Sequence, residues 1–545
     1  MDRRSFLRSI VGAPHKANYS LNSSSLDEWV SDANNPWDSG TVNHIYNRLG
    51  FGATVSDIRS ALELTPSQLI DQLMDDRLVT DAMPQPPPGY EKWMYTPAYR
   101  GPDYMIGHAE DVAQHDAKHD LHMWWTLQMM QSDVQLRERL VMFWHNHFVV
   151  EEVKIYYFVH EWRYFDYLRR NAWGNFKQMV KDITTMPAML KYLDGIWNEE
   201  DMINENYARE LMELFTMGIT DRYGNTNYVQ DDVRNLAHSL VGWRFWFEAP
   251  PPDVLPHYFA DYYFDFNTKR SIWGSEPKVY GLAQANDPRI EADVIDLLFE
   301  RRAAAIAWHI AKKIYRNFIY MGDLPDSSDE IIQELADTLI ASNWELKPVF
   351  LKLFKSAHFF DRTHRGAAIK SPFEFMVSLA RKMELPVSLY AAGNFWYYGQ
   401  DIGQFLCNPT NVKGWEGYRT WLNTATLTKR IEAFAYGLAI NGVIQGQWCN
   451  PHTGYNFDWI PYGDDLVLGW AKQFPSFSSD VVAMLDEMNE LMFAIPIDEN
   501  SLEQIVASSG VVHSYEWPAM TDAQRILPLR RMIFGLLSAP EFQLA

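Results

Sequence analysis

Segments of helical periodicity, cut apart by prolines and glycines, recur along almost the whole chain and predict a mostly α fold. The most constrained is 204–218, Asn-Glu-Asn-Tyr-Ala-Arg-Glu-Leu-Met-Glu-Leu-Phe-Thr-Met-Gly. At 3.6 residues per turn, Asn206, Arg209, Glu210 and Glu213 share one face, while Tyr207, Leu211, Leu214 and Phe215 form the apolar side. Gly218 suits the left-handed turn that closes a helix. Two carboxylates, an amide and a guanidinium on one strip are costly to bury unless they are paired or bound. That strip is the first candidate for a site.

The same spacing predicts a helix from Asn43 that ends at Gly50 and Gly52, and a second one capped by Thr54. Residues 83–89, with four prolines, must be loop. Helical spacing returns over 104–148, 156–170 and 175–193, with a break at Pro187. It continues over 228–243, 289–321, 328–341 and 345–358, and Pro372 opens a further helix at its first turn. Aromatic alternation over 258–273 predicts one small β-hairpin. Residues 395–419 read as a long ordered loop, followed by helices near 424–440, 480–493, 501–508 and 522–537. The expected organisation is a leader over 1–35 and one large helical domain over 36–545, with a sub-boundary near 248–290.

Composition narrows the function classes. A formal charge of −22 opposes nucleic acid, whose phosphates would be repelled. No run of 18 apolar residues exists to span a bilayer. Two cysteines, Cys407 and Cys449, rule out a thiolate metal cluster and a disulfide-built scaffold, and leave one disulfide as the most they could make. Arg3 and Arg4 before Phe6 and Leu7 match the start of a twin-arginine export signal, which predicts a periplasmic or otherwise exported protein. The apolar stretch that follows stops at His15, so a cytoplasmic location stays open.

Several blocks together carry a family resemblance: 43–54 (Asn-His-Ile-Tyr-Asn-Arg-Leu-Gly-Phe-Gly-Ala-Thr), 143–148 (Phe-Trp-His-Asn-His-Phe), 204–218, 411–415 (Asn-Val-Lys-Gly-Trp) and 421–424. The chain resembles the bacterial family catalogued as domain of unknown function 1800, from about residue 40 to the C-terminus. The resemblance implies one shared architecture and frequent twin-arginine export, and it implies no reaction. Similar proteins often carry a His-Asp pair shortly before a Lys in the hairpin region. Here Asp265 and Lys269 are kept and Phe264 stands at the histidine position, so an activity that uses this histidine would be impaired.

Three constellations offer chemistry. His145 and His147 are potential ligands for a divalent transition metal, but two residues apart on a helix they point about 200° from each other. They can chelate one ion only if the segment is extended. The alternative is that His145 packs in the core, held by Glu138. Glu210 and Glu213, at i and i+3, could join the histidines as metal ligands, or act as acid and base with Arg209 and Asn206 orienting substrate. The alternative is an ion-pair network, Arg209 with Glu213 and Glu210 with Arg137 or Arg139. His108, Asp111, His115, His119 and His122 lie on one helix face, where a metal site competes with a solvated polar face. The Asn411–Trp415 loop, with Glu416 and Trp421, reads as a lid or an aromatic platform, or as a loop ordered by tryptophan packing.

Three functions follow as expectations. The first is a metal-dependent hydrolase or oxidoreductase using His145, His147, Glu210 and Glu213. The second is a carboxylate-pair enzyme acting on carbohydrate. The third is an exported binding or assembly factor with a protein partner. Small-molecule, carbohydrate and peptide substrates all fit.

Overall fold

The computed structural model describes residues 25–545 except 81–84, 86–107, 132–133, 156, 246–256, 260–271, 274–288, 386, 388, 439–446, 450–455, 459–462 and 512. Residues 1–24 of the expected leader, most of the proline-rich loop, and Phe264, Asp265 and Lys269 lie outside the described residues.

The fold is mostly α, with two short antiparallel ribbons among the described residues. One ribbon pairs Trp243–Phe245 with His257–Phe259, so the pairing starts upstream of the hairpin expected at 258–273. The other pairs Gln447–Cys449 with Asn456–Asp458. Local signals build the helices in an orderly way. Thr54 accepts from the Asp57 amide while the Asp57 carboxylate accepts from the Thr54 amide, closing a capping box over Val55–Leu62. Ser371 and Glu374 do the same for Pro372–Lys382. Phe176–Thr185 and Pro187–Tyr192 are separate helices, as Pro187 requires.

Two regions depart from the expected pattern. Leu389–Asp401 is helical where 395–419 was expected to be loop. Gly399 does not break this helix, because its role is close approach: a Cβ there would stand 2.4 Å from the Phe373 ring. Residues 289–321 divide into Arg289–Arg301 and Ala303–Phe318, interrupted at Arg302.

Buried apolar side chains from Leu26 to Phe542 form one contiguous cluster, with Trp125, Trp144 and Trp517 among its largest members. Against it lie the helix pairs that frame the site. Gln135–His147 packs on Phe158–Arg170, and His108–Gln131 packs on Leu389–Asp401. A second, small cluster of Ile369, Trp415 and Trp421 sits beneath the 411–424 segment, so that loop has a core of its own. No described helix is long and apolar enough to cross a membrane.

Candidate functional site: a cation-lined cleft where three sequence blocks meet

The first determinant of the site is the helix Gln135–His147, which continues through both histidines. Their imidazoles therefore point to different sides. His145 is fully buried among Trp125, Phe165 and Trp415, with Nδ1 3.4 Å from the Tyr164 hydroxyl. Burial pushes its pKa down to about 3, so the ring is neutral. Glu138 does not hold it. That carboxylate instead takes Arg137, Arg169 and the Trp125 indole N–H.

Between the two histidines, Asn146 faces a different block. Its Oδ1 accepts the Trp415 amide at 2.7 Å. Gly414 stands beside it at φ +85°, where an added Cβ would come within 2.1 Å of the same oxygen. A side chain at 414 is excluded twice over, by backbone conformation and by space. This contact docks the 411–415 block on the 143–148 block.

The third block contributes through an irregular helix. Residues 204–218 do not form one regular α-helix, for Asn206–Glu210 is α and Leu211–Thr216 is a π turn. The wider turn shifts the carbonyl ladder, and side chains satisfy the displaced groups. His147 Nε2 donates to the Phe215 carbonyl at 3.0 Å, and His309 Nε2 donates to the Leu214 carbonyl at 3.2 Å. Such turns concentrate at functional sites. Gly218 ends the segment at φ +75°, with His309 filling the space a Cβ would need.

Because Nε2 of His147 carries the proton, its Nδ1 is an acceptor. It receives Lys313 Nζ at 2.9 Å, and the same ammonium donates to the Leu214 carbonyl at 2.9 Å. Lys313 is half-buried as a residue, yet its charged end sits in the wall with no carboxylate paired to it among the described residues. Desolvation lowers its pKa to about 7, and burial followed by the Lys313 charge holds His147 well below the usual imidazole range.

Lys313 and His147 line a cleft of about 190 Å³. Arg139, Arg316 and Lys413 add three more fixed cations to its wall, against two carboxylates, Glu374 and Glu416. Glu374 is consumed by Arg139 and by the Ser371 amide. In a chain of net charge −22, this concentration of cations stands out. Trp415 and Trp421 also line the cleft, with most of their surface buried against Ile369, so packing orders this loop.

Glu210 lies within electrostatic reach of Lys413. Its pKa is raised, first by desolvation and then by Glu213, and Arg209 and Lys413 oppose the shift. Glu213 accepts the Tyr228 hydroxyl at 3.1 Å, and burial together with that carboxylate pushes the Tyr228 phenol up to about 12. Arg209 pairs with Glu205 at 2.8 Å rather than with Glu213, and Gln230 bridges both. Asn206 is exposed, and its amide is capped by Asn204 Oδ1. Arg137 and Arg139 pair with Glu138 and Glu374, so neither serves Glu210.

His145, His147, Glu210 and Glu213 therefore do not assemble as one ligand set. Among the described residues, the group of metal-ligating side chains close enough to share an ion is His122, Glu161 and Cys407. Nor is the histidine face solvated where it is described. Lys118 is buried on the Glu152 and Ile155 carbonyls, and His122 is fully buried. Sequence reasoning missed Lys313 and Arg139 as site residues. The sequence offers Lys312-Lys313 in the helix Ala303–Phe318 as a signal, but spacing alone does not single out Lys313.

The molecule is thus a mostly α protein whose separated sequence blocks converge on a small cationic cleft. A family model covers residues 44–544, nearly the full length. The chain belongs to the family described as Protein of unknown function (DUF1800). Comparison with curated proteins gave no match, and comparison with solved structures gave none either.

Proposed function

We propose that the cleft binds a small anion, a carboxylate or phosphate ester, and that the protein acts on it by acid–base chemistry. One observation carries this reading: Lys313 presents a desolvated ammonium to the cleft with only neutral acceptors, His147 Nδ1 and the Leu214 carbonyl. A buried ammonium without a counter-ion is costly, and an anionic ligand supplies the missing charge. Arg316 and Lys413 would flank the same anion. With a pKa of about 7 in the free protein, Lys313 takes up a proton near neutrality as the anion binds, which charges it to donate to the bound substrate. Glu210, which burial and then Glu213 make easier to protonate, lies within electrostatic reach of Lys413 and is suited to supply a second proton. Of the carboxylate-pair expectation this keeps Glu210 as acid, with Glu213 as the carboxylate beside it and Arg209 and Asn206 as supports, and it replaces the carbohydrate with an anionic substrate.

The test is thermal stabilisation of the full chain by sulfate, inorganic phosphate and small dicarboxylates, followed by the Lys313→Met variant. Stabilisation that rises with anion concentration in the wild type and is lost in the variant supports the reading. Equal responses in both, or none in the wild type, contradict it.

A further inference from the structure

Away from the cleft, three chemically distinct ligating groups are buried together. His122 comes from the helix His108–Gln131, Glu161 from Phe158–Arg170, and Cys407 from the segment that follows Leu389–Asp401. One donor atom from each lies within 4.8 Å of the others, and none of the three side chains is more than 1 % exposed. His122 Nε2 is 2.7 Å from Glu161 Oε1. The second Glu161 oxygen, the second His122 nitrogen and Nε2 of the neighbouring His145 are all buried without a hydrogen-bond partner. Native interiors rarely leave several polar atoms of one cluster unmatched.

The backbone gives an independent indication. Cys407 is a non-glycine residue at φ +64°, a conformation that costs free energy and concentrates where a side chain must be aimed. Its carbonyl accepts the Glu152 amide at 2.9 Å, which fixes the backbone that carries the thiol. The thiol is free of any disulfide.

We infer that His122, Glu161 and Cys407 form a buried binding site for one divalent transition metal of the zinc class. Thiolate, imidazole and carboxylate together are a donor set that such ions prefer over calcium or magnesium. His145, within electrostatic reach of His122, is a candidate for a fourth position. Binding takes Cys407 as thiolate, with its proton leaving to solvent. The role follows from what the site joins: two core helices and the segment that runs, four residues after Cys407, into the 411–415 block walling the cleft. The metal would hold that wall in place, and it is separate from the anion reading of the cleft.

The test uses the purified full chain, stripped with a chelator and titrated with cobalt(II). The expected result is one ion per chain, a thiolate-to-cobalt charge-transfer band in the near ultraviolet, and one proton released per ion. Cys449→Ser should keep the band and Cys407→Ser should abolish it. With only two cysteines in the chain, the assignment does not depend on how well the Cys407 variant folds. A folded wild-type chain that gives no charge-transfer band overturns the proposal, and so does a band lost in Cys449→Ser.

Discussion

Glu138 and Lys313 are both ionisable groups set into the interior, and the protein treats them in opposite ways. The Glu138 carboxylate meets Arg137, Arg169 and the Trp125 indole within 3.2 Å, and Arg169 also lies 5.0 Å over the Trp124 ring. Desolvation would raise its pKa, but the two arginines win and the carboxyl stays below its usual range. Lys313 has an imidazole nitrogen and one carbonyl for company, and burial alone decides its titration. Glu210 resembles Lys313, since burial moves its pKa most and the charge that acts on it most strongly is another carboxylate, Glu213. A charge closed on partners stabilises a fold. A charge left open at a cleft weakens the fold slightly and is available to a ligand.

The largest expected effect comes from breaking the closed region. Glu138→Gln leaves Arg137 and Arg169 buried without their counter-ion and should cost about 3–5 kcal/mol in chemical denaturation. A loss below about 1 kcal/mol would show that the hub is not the structural charge centre described here.

Next is Lys313→Met. Removing a charge-assisted contact should weaken anion binding by about 10- to 100-fold, the equivalent of about 1.5–3 kcal/mol. Stability should move the other way. The native pKa is depressed, so between about 7 and the ordinary lysine range the unfolded chain binds the proton that the native chain lacks. Wild-type stability should therefore rise with pH through that window relative to the variant, and fall back to its full penalty below about 7. Denaturation midpoints of the two proteins across that range decide the sign.

Gly414→Ala sharpens the comparison at the cleft wall. The substitution forces a side chain into Asn146 at φ +85°, at a cost of about 1–3 kcal/mol. It should reduce anion affinity without disturbing the Glu138 hub. Binding isotherms and near-ultraviolet circular dichroism separate the two effects.

The smallest shift is expected for Glu210→Gln, within about 0.5 kcal/mol of wild type or more stable. Because the folded pKa of Glu210 is raised, the ionised form is a native-state liability. Wild-type stability should recover as pH falls through that pKa, so any advantage of the variant should disappear in acid. An advantage that grows in acid would contradict the assignment.

What was legible in the sequence follows the range of the interactions. The cap at Thr54, the helix start at Pro372 and the break at Pro187 were readable because their determinants lie within a turn. The mostly α class and the family were likewise accessible from periodicity and motif order. The candidate residues of the 204–218 block were found, but their partners were misjudged: the π turn moves the register, and Arg209 turns back to Glu205. Lys313 was not identified because its neighbours, His147 and Leu214, are 166 and 99 residues away. The meeting of His122, Glu161 and Cys407 is of the same kind, since helix packing brings them together and no local spacing announces it.

The central claim is that Lys313 is an anion-binding ammonium poised near neutrality. Calorimetric titration of the full chain with sulfate, which does not itself titrate there, measures this directly when repeated at pH 8 in buffers of different ionisation enthalpy. The account predicts close to one proton taken up per sulfate by the wild type, as the anion draws Lys313 back toward its ordinary pKa, and none by Lys313→Met. Binding without proton uptake, or uptake unchanged in the variant, would contradict it.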